Sequence, residues 1–104
     1  MIVYNITFNV EDEIKDQWLK WIKNDFIPAM TKSGLLKNPR LSELLIDEQQ
    51  GTSYALQFEA NTIEDLNEFK KEQLFSLLAP VREKFGEKVV FFPTEMKVLY
   101  KNKE

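Results

Sequence analysis

The stretch IVYNITFNV, residues 2–10, alternates apolar and polar side chains without interruption. A second stretch, TSYALQFEA at residues 52–60, alternates in the same way. Because successive side chains of a strand point to opposite faces, both stretches are predicted to be strands with one apolar face. That face carries Ile2, Tyr4, Ile6, Phe8 and Val10 in the first strand and Tyr54, Leu56 and Phe58 in the second.

A helix is predicted to follow each of these two strands. Asn9 with Asp12, and Asn61 with Glu64, resemble the capping boxes that begin helices, with Asn in place of the usual Ser or Thr. The acidic residues that follow each signal suit the positive end of a helix. The predicted order, a strand followed by a capped helix, therefore occurs twice in the chain.

Both predicted helices contain an irregularity. Pro28 lacks an amide hydrogen and cannot continue a regular helix, so we expect a kink near Asp25. In the second helix the apolar stripe loses its phase, which predicts a break around residues 71–73. Gly34 and Gly86 are predicted to end the two helical stretches.

Two further strands complete the pattern. Residues 40–47 are predicted to form a strand that residues 48–51 join to the 52–60 strand in a hairpin. The last strand is expected at residues 88–92, where Pro93 interrupts it, and to resume at residues 96–100.

The resulting order, βαββαβ, predicts an α+β fold of the ferredoxin-like kind, with a four-stranded antiparallel sheet and both helices on one face. We expect one domain over residues 1–100 and a frayed tail at residues 101–104. The sheet face away from the helices, called the open face below, is predicted to be small or polar. It carries Asn5, Thr7, Asn9, Ser53, Gln57 and Glu59.

Composition excludes several functions. The net charge is −3 and the 14 basic residues are scattered, which argues against nucleic acid as a partner. The chain begins without the features of a signal peptide and has no long apolar run, so we expect a soluble cytoplasmic protein with no membrane partner. It has no His and no Cys, which excludes Ser-His-Asp catalysis and thiol chemistry. We expect no metal and no cofactor.

Three segments carry a resemblance to a known group. They are residues 1–5 (MIVYN), 18–21 (WLKW) with Ile27-Pro28, and the turn at 51–55 (GTSYA). The chain resembles the dimeric α/β-barrel group of ferredoxin-like proteins, and more specifically a small bacterial family known as a domain of unknown function. The resemblance extends to about Leu99 and implies pairing of two sheets into a barrel. In that group a His often precedes the Ile-Pro pair, and Phe26 stands there in this chain.

Asp25 is a candidate catalytic residue. In an unbroken helix it would lie among Trp18, Trp21 and Ala29 on the apolar face, where a carboxylate has a raised pKa and serves as a general acid or base. The alternative is that Asp25 caps a new helical turn after the kink.

Four aromatic residues are candidates for ligand binding. Trp18 and Trp21 could form the wall of an apolar pocket, or they could be ordinary core residues at helical spacing. Tyr4 and Tyr54 could meet on the helix-facing side of the sheet and contact a ligand there, or they could be packed in the core.

The open face offers polar candidates. Asn5, Thr7, Ser53 and Gln57 could hydrogen-bond a small molecule if two copies pair their open faces, and Glu59 could act there as a base. Without a partner these side chains are simply solvated.

Three functional hypotheses follow, of which the third is a domain that only mediates assembly with another protein through its edge strands. The first is a homodimeric module that binds a small molecule or another protein through the open face. The second is a cofactor-independent enzyme of the monooxygenase, decarboxylase or isomerase type, with Asp25 or Glu59 as its base. The second rests mainly on analogy of fold, and one fold hosts many functions.

Overall fold

The computed structural model describes residues 1–47 and 50–102. The strands are β1 (Ile2–Val10), β2 (Lys37–Glu43), β3 (Thr52–Ala60) and β4 (Val89–Lys97). The helices are α1 (Lys15–Trp21), α2 (Ile27–Thr31), α3 (Ile63–Phe69) and α4 (Phe75–Phe85). A π-helical turn joins α1 to α2 (Ile22–Phe26) and another joins α3 to α4 (Lys70–Leu74), while 3-10 turns lie at Asp12–Ile14 and Gly86–Lys88.

The four strands form one antiparallel sheet in the order β2-β3-β1-β4. The predicted α+β, ferredoxin-like fold with a four-stranded antiparallel sheet is confirmed. β1 and β3 pair along their whole lengths, from Ile2 opposite Ala60 to Val10 opposite Thr52. Their predicted bounds are also correct, because a period of two is a purely local signal.

The core lies between the sheet and the helices. Apart from Ile2 and Thr52 at the strand ends, which are half-buried, the side chains that β1 and β3 turn toward the helices are buried. They are Tyr4, Ile6, Phe8, Val10, Tyr54, Leu56, Phe58 and Ala60. The register thus places every apolar position predicted from alternation on the helix-facing side of the sheet. Ile2, at the end of β1, lies on that side too but is only half-buried.

The first helical region passes through a π-helical turn. Its buried side chains, Trp18, Ile22, Phe26 and Met30, are spaced by four residues. In a regular α-helix each step of four residues rotates by about 40° away from one face, so a row of this length drifts off the core. The wider π turn offsets that drift. The irregularity predicted near Asp25 is therefore confirmed, in the form of a π turn.

Proline is accommodated just after this turn. The N–H of Ile27 bonds the carbonyl of Ile22, five residues back, and Pro28 lies in the first turn of α2. A missing N–H costs little at the start of a helix.

The second helical region repeats this arrangement. Its π turn, Lys70–Leu74, falls where the apolar stripe predicted a break. Gly86 ends α4 with a φ of 58°, and Gly34, with a φ of 84°, follows α2. Both glycine stops are confirmed.

The two capping predictions have different outcomes. Thr62 caps α3 by accepting a hydrogen bond from the N–H of Asp65, one residue later than the predicted Asn61. The predicted cap at Asn9 is wrong, because Asn9 belongs to β1 and its amide donates to Ser53 Oγ at 3.2 Å. Pairing with β3 extends β1 through the position where the local signal predicted a helix.

Two strand predictions are corrected. β2 lies at Lys37–Glu43, three residues before the predicted start and four before the predicted end. β4 runs unbroken through Pro93, which the sheet tolerates because β4 is an edge strand. The prediction of an interruption at Pro93 was wrong.

The turn before β3 requires glycine. Gly51 has a φ of 72°, and a Cβ there would lie 2.6 Å from the carbonyl oxygen of Val10. Glu48 and Gln49 of the predicted connection, and Lys103 and Glu104 of the predicted tail, lie outside the described residues. Within the described part of the chain, no helix is long and apolar enough to cross a membrane.

Candidate functional site

The open face of the sheet divides into an apolar and a polar half. On β4, the residues that share this face include Val90, Phe92 and Met96, which are exposed by 57%, 60% and 39%. On β1 and β3 the same face carries the predicted polar side chains. An edge row of apolar groups thus lies beside a polar centre.

A groove of about 540 Å³ lies at one end of the polar half. It is lined by Val3, Asn38, Pro39, Arg40, Gln57, Phe58, Glu59 and Lys101. Glu59 is held on two sides: Asn38 Nδ2 donates to Glu59 Oε1 at 2.9 Å, and Lys101 Nζ lies 3.9 Å from Oε2. The two predicted residues Gln57 and Glu59 therefore meet in one concave site.

A bulge in β2 shapes this groove. The β2–β3 register shifts between Lys37 and Arg40, and Asn38 within the bulge has a φ of 52°. Asn tolerates this left-handed conformation better than most residues. The bulge places Arg40 opposite Gln57, so a guanidinium lines the same groove as the Glu59 carboxylate. Such an arrangement suits a small molecule with both donor and acceptor groups.

Two side chains at the centre of the open face are almost completely buried, although the helices pack on the other side of the sheet. Asn5 and Ser53 are each only 7% exposed. Asn5 Nδ2 donates to Thr7 Oγ1 at 3.0 Å, while Asn5 Oδ1 is buried with no hydrogen-bond partner within the described residues. A buried acceptor without a hydrogen-bond partner is energetically costly.

The predicted meeting of Tyr4 and Tyr54 is wrong. Tyr4 is opposite Phe58 and Tyr54 is opposite Phe8, so the two tyrosines lie four residues apart along the ladder, roughly 13 Å. Burial, and next the charge of Glu95, raise the pKa of Tyr4 to about 12.

Tyr54 lies instead against Trp18. Their ring centroids are 4.8 Å apart, and burial, followed by the charges of Glu43, Asp12 and Asp16, raises the pKa of Tyr54. Neither the Tyr54 hydroxyl nor Trp18 Nε1 has a hydrogen-bond partner among the described residues.

Trp21 lies apart from Trp18. It is half-buried and packs on Phe26 and Phe85, with centroid distances of 5.2 and 5.6 Å. Trp18 is fully buried in the core. Both tryptophans therefore contribute to packing, and neither lines the groove around Glu59.

Asp25 does not lie on the buried face. The π turn directs it to solvent, where its side chain is exposed, while Ile22 and Phe26 on either side are buried. It does not cap α2 either, because the residue before α2 is Phe26, in helical conformation. The sequence prediction assumed either an unbroken helix through Asp25 or a new helical turn that begins at Asp25. The π turn at Ile22–Phe26 provides neither.

Sequence reasoning missed the apolar half of the open face and the basic residues of the groove. The alternate positions 90, 92 and 96 could have been assigned to this face if β4 had been extended through Pro93. Arg40 could not, because the register of β2 depends on a bulge. Within residues 1–47 and 50–102 no cluster of three or more acidic side chains is arranged to hold a metal ion.

Fold and open face together define a ferredoxin-like α+β protein. The chain belongs to the family described as domain of unknown function DUF4286, whose family model matches residues 1–99. The predicted resemblance to a family of unknown function is thereby confirmed. A search of curated proteins finds none that matches this sequence.

Solved structures with this fold share little sequence with the chain. A dimeric ferredoxin-like protein from an uncultured marine organism is 13% identical, with a TM-score of 0.68 over 99% of this chain and 98% of that one. A MhuD mutant with two manganese protoporphyrin IX bound per active site is 11% identical, with a TM-score of 0.71 over 100% of both chains. A hydroxynitrile lyase from Passiflora edulis is 19% identical, with a TM-score of 0.59 over 96% and 97%.

Proposed function

We propose that this protein is a homodimeric module that pairs its open sheet faces and holds a small polar molecule between them. The observation that carries the proposal is that Val90, Phe92 and Met96 are exposed on the sheet face away from the helices. Val90 and Phe92 adjoin on this face, and Thr94 separates them from Met96. Exposed apolar groups that adjoin on one face mark interaction surfaces.

The size of the open face supports pairing over its whole extent. Three strand spacings of about 4.8 Å and nine residues of about 3.3 Å give roughly 14 by 30 Å. A standard stable interface buries about 800 Å² of accessible surface per partner, which exceeds this flat area of about 420 Å², so a second copy would have to cover the whole face. The polar groove around Glu59 then becomes part of an enclosed cavity. The dimeric ferredoxin-like protein of similar fold is consistent with such pairing.

The ligand is inferred from the groove. Arg40 and Lys101 provide cationic donors, Gln57 provides an amide, and Glu59 provides an acceptor. A small molecule that both donates and accepts hydrogen bonds matches this set.

Light scattering after size-exclusion chromatography tests the pairing. We expect a dimer at micromolar concentration and a monomer for Phe92→Lys, because a charge would be buried in the apolar row. Phe75→Lys is the matched control, since Phe75 is 87% exposed but lies in the helical region. It should remain dimeric. A strictly monomeric native chain overturns the proposal.

Native mass spectrometry tests the ligand. The dimer should carry additional mass that is released on denaturation and is absent in Glu59→Ala. Glu68→Ala, a change of an exposed carboxylate in α3, should retain it. Loss of the bound mass to the same extent in both variants would show that Glu59 does not bind the molecule specifically.

A carboxylate-base enzyme is the second candidate, and the position of Glu59 in the groove favours it. In that case Glu59→Gln should retain the bound molecule and abolish its conversion, because the amide preserves shape but accepts no proton. Asp25, exposed on the opposite layer, should tolerate Asp25→Asn without effect.

A further inference from the structure

A second groove lies on the other side of the sheet, between α4 and β4, and is called the α4–β4 groove. Its volume is about 620 Å³. It is lined by Lys70, Leu74, Phe75, Leu78, Ala79, Arg82, Glu83 and Phe91. Phe91 is opposite the buried Phe8, which places this groove on the helix-facing side, away from the open face.

The floor of the α4–β4 groove is apolar and incompletely covered. Phe75 is 87% exposed, and Leu74, Leu78 and Phe91 are only half-buried. Small-molecule sites are typically clefts of about 300–1,000 Å³, mostly apolar, with a few polar groups that fix orientation. The α4–β4 groove fits that description better than the polar groove around Glu59.

The charged groups at its rim are Lys70, Arg82 and Glu83. Lys70 is bonded to Glu95, so its charge is already compensated. In the part of the chain that the structure describes, no ion pair or hydrogen bond involves the Arg82 guanidinium. The guanidinium fork matches a carboxylate in geometry, and Arg82 is free to bind one.

A buried hydroxyl lies beside the Lys70–Glu95 pair. Tyr4 is directly opposite Glu95 in the β1–β4 ladder and is 1% exposed. Its hydroxyl has no hydrogen-bond partner among residues 1–47 and 50–102. Tyr4 is not among the residues that line the groove, so the donor at its rim that lacks a partner among the described residues is Arg82.

We propose that the α4–β4 groove binds an amphipathic carboxylate, a small molecule with an apolar chain or ring and one carboxylate group. The apolar part lies on Leu74, Leu78 and Phe91 under Phe75, and the carboxylate pairs with Arg82. Because the groove and the open face are on opposite sides of the sheet, this proposal stands independently of the dimeric function.

Isothermal titration with octanoate, using 1-octanol as the uncharged probe of equal chain length, tests the proposal. We expect octanoate to bind at least about tenfold more tightly than 1-octanol, because a charge-assisted hydrogen bond forms only with the carboxylate. Arg82→Gln should remove that preference. Phe75→Ser should weaken both probes roughly fivefold, since it removes apolar contact area.

Matched variants separate this site from general effects. Lys20→Gln removes an exposed cationic side chain in α1, outside the groove, and Leu99→Ser removes an apolar side chain as exposed as Phe75, so both should leave octanoate affinity within about twofold. Glu83→Gln should tighten octanoate roughly twofold by removing a like charge.

Three results would overturn the proposal. The first is no octanoate binding at millimolar concentration, the second is equal binding of 1-octanol, and the third is equal weakening by Arg82→Gln and Lys20→Gln. A change in oligomeric state with Phe75→Ser, without bound octanoate, would assign the groove to a second copy instead. The dimer test with Phe92→Lys is separate, so failure of either proposal leaves the other standing.

Discussion

The two faces of the sheet come from the same strands and the same alternation, yet the chain closes only one of them. On the helix-facing side, β1 and β3 bury Tyr4, Ile6, Phe8 and Phe58 almost completely. On the open face, away from the helices, Phe92 is 60% exposed. The helices thus bury the apolar side chains of one face. On the other face, apolar side chains such as Phe92 stay exposed to solvent.

The largest expected effect compares how much side chains on the two faces contribute to the free energy of unfolding. Phe58→Ala should reduce the free energy of unfolding by about 3–5 kcal/mol, because it removes a fully buried ring from the core. Gln57→Ala, the next residue on the other face, should change it by about 0.5 kcal/mol or less in the monomer. Urea unfolding measures both. Similar losses would mean that the open face is part of the monomer core.

A smaller effect concerns a hydroxyl buried on the helix-facing side. The pKa of Tyr4 is raised from 10.0 to about 12, so between these values the unfolded chain releases a proton that the folded chain keeps. Stability is unaffected below pH 10 and falls as pH rises toward 12, on the order of 1 kcal/mol per pH unit.

Tyr4→Phe should flatten this alkaline decline in a series of denaturant titrations. Tyr100→Phe, a change of a tyrosine that is 84% exposed, should not alter it. An unchanged slope in Tyr4→Phe would show that Tyr4 does not control the alkaline limit.

The smallest expected effect concerns the open face. In a chain held monomeric by Phe92→Lys, Asn5→Val should be neutral or stabilising by about 1 kcal/mol, since it removes a buried acceptor without a partner and valine favours strands. If the native chain pairs as proposed, the same change should be destabilising there when a group of the second copy donates to Asn5 Oδ1. Urea unfolding curves with and without Asn5→Val, recorded in the native chain and in Phe92→Lys, measure both changes in the free energy of unfolding. The same shift in both backgrounds contradicts an outside donor.

The sequence predicted β1 and β3 to the residue, together with both glycine stops and the sites of both helical irregularities. Each of these depends on a local signal: a period of two, the conformational freedom of glycine, or a proline and a shift of phase. The predictions that failed required knowledge of distant partners. Asn9 looked like a helix cap, but pairing with β3 kept it in the sheet.

The candidate site was predictable only in part. Alternation placed Gln57 and Glu59 on the open face, and the structure brings both into one groove. Arg40 and Asn38 join them through a bulge in β2 that no local pattern indicates.

By itself, the sequence determined the element order, the apolar and polar faces of the two central strands, and the absence of imidazole and thiol chemistry, because these follow from composition and short-range periodicity. Only the tertiary structure decided that Asp25 faces solvent, that Tyr4 and Tyr54 lie far apart, and that an apolar groove opens between α4 and β4. These features depend on helical phase, strand register and the packing of helix on sheet, all of which arise from contacts between residues far apart in the chain.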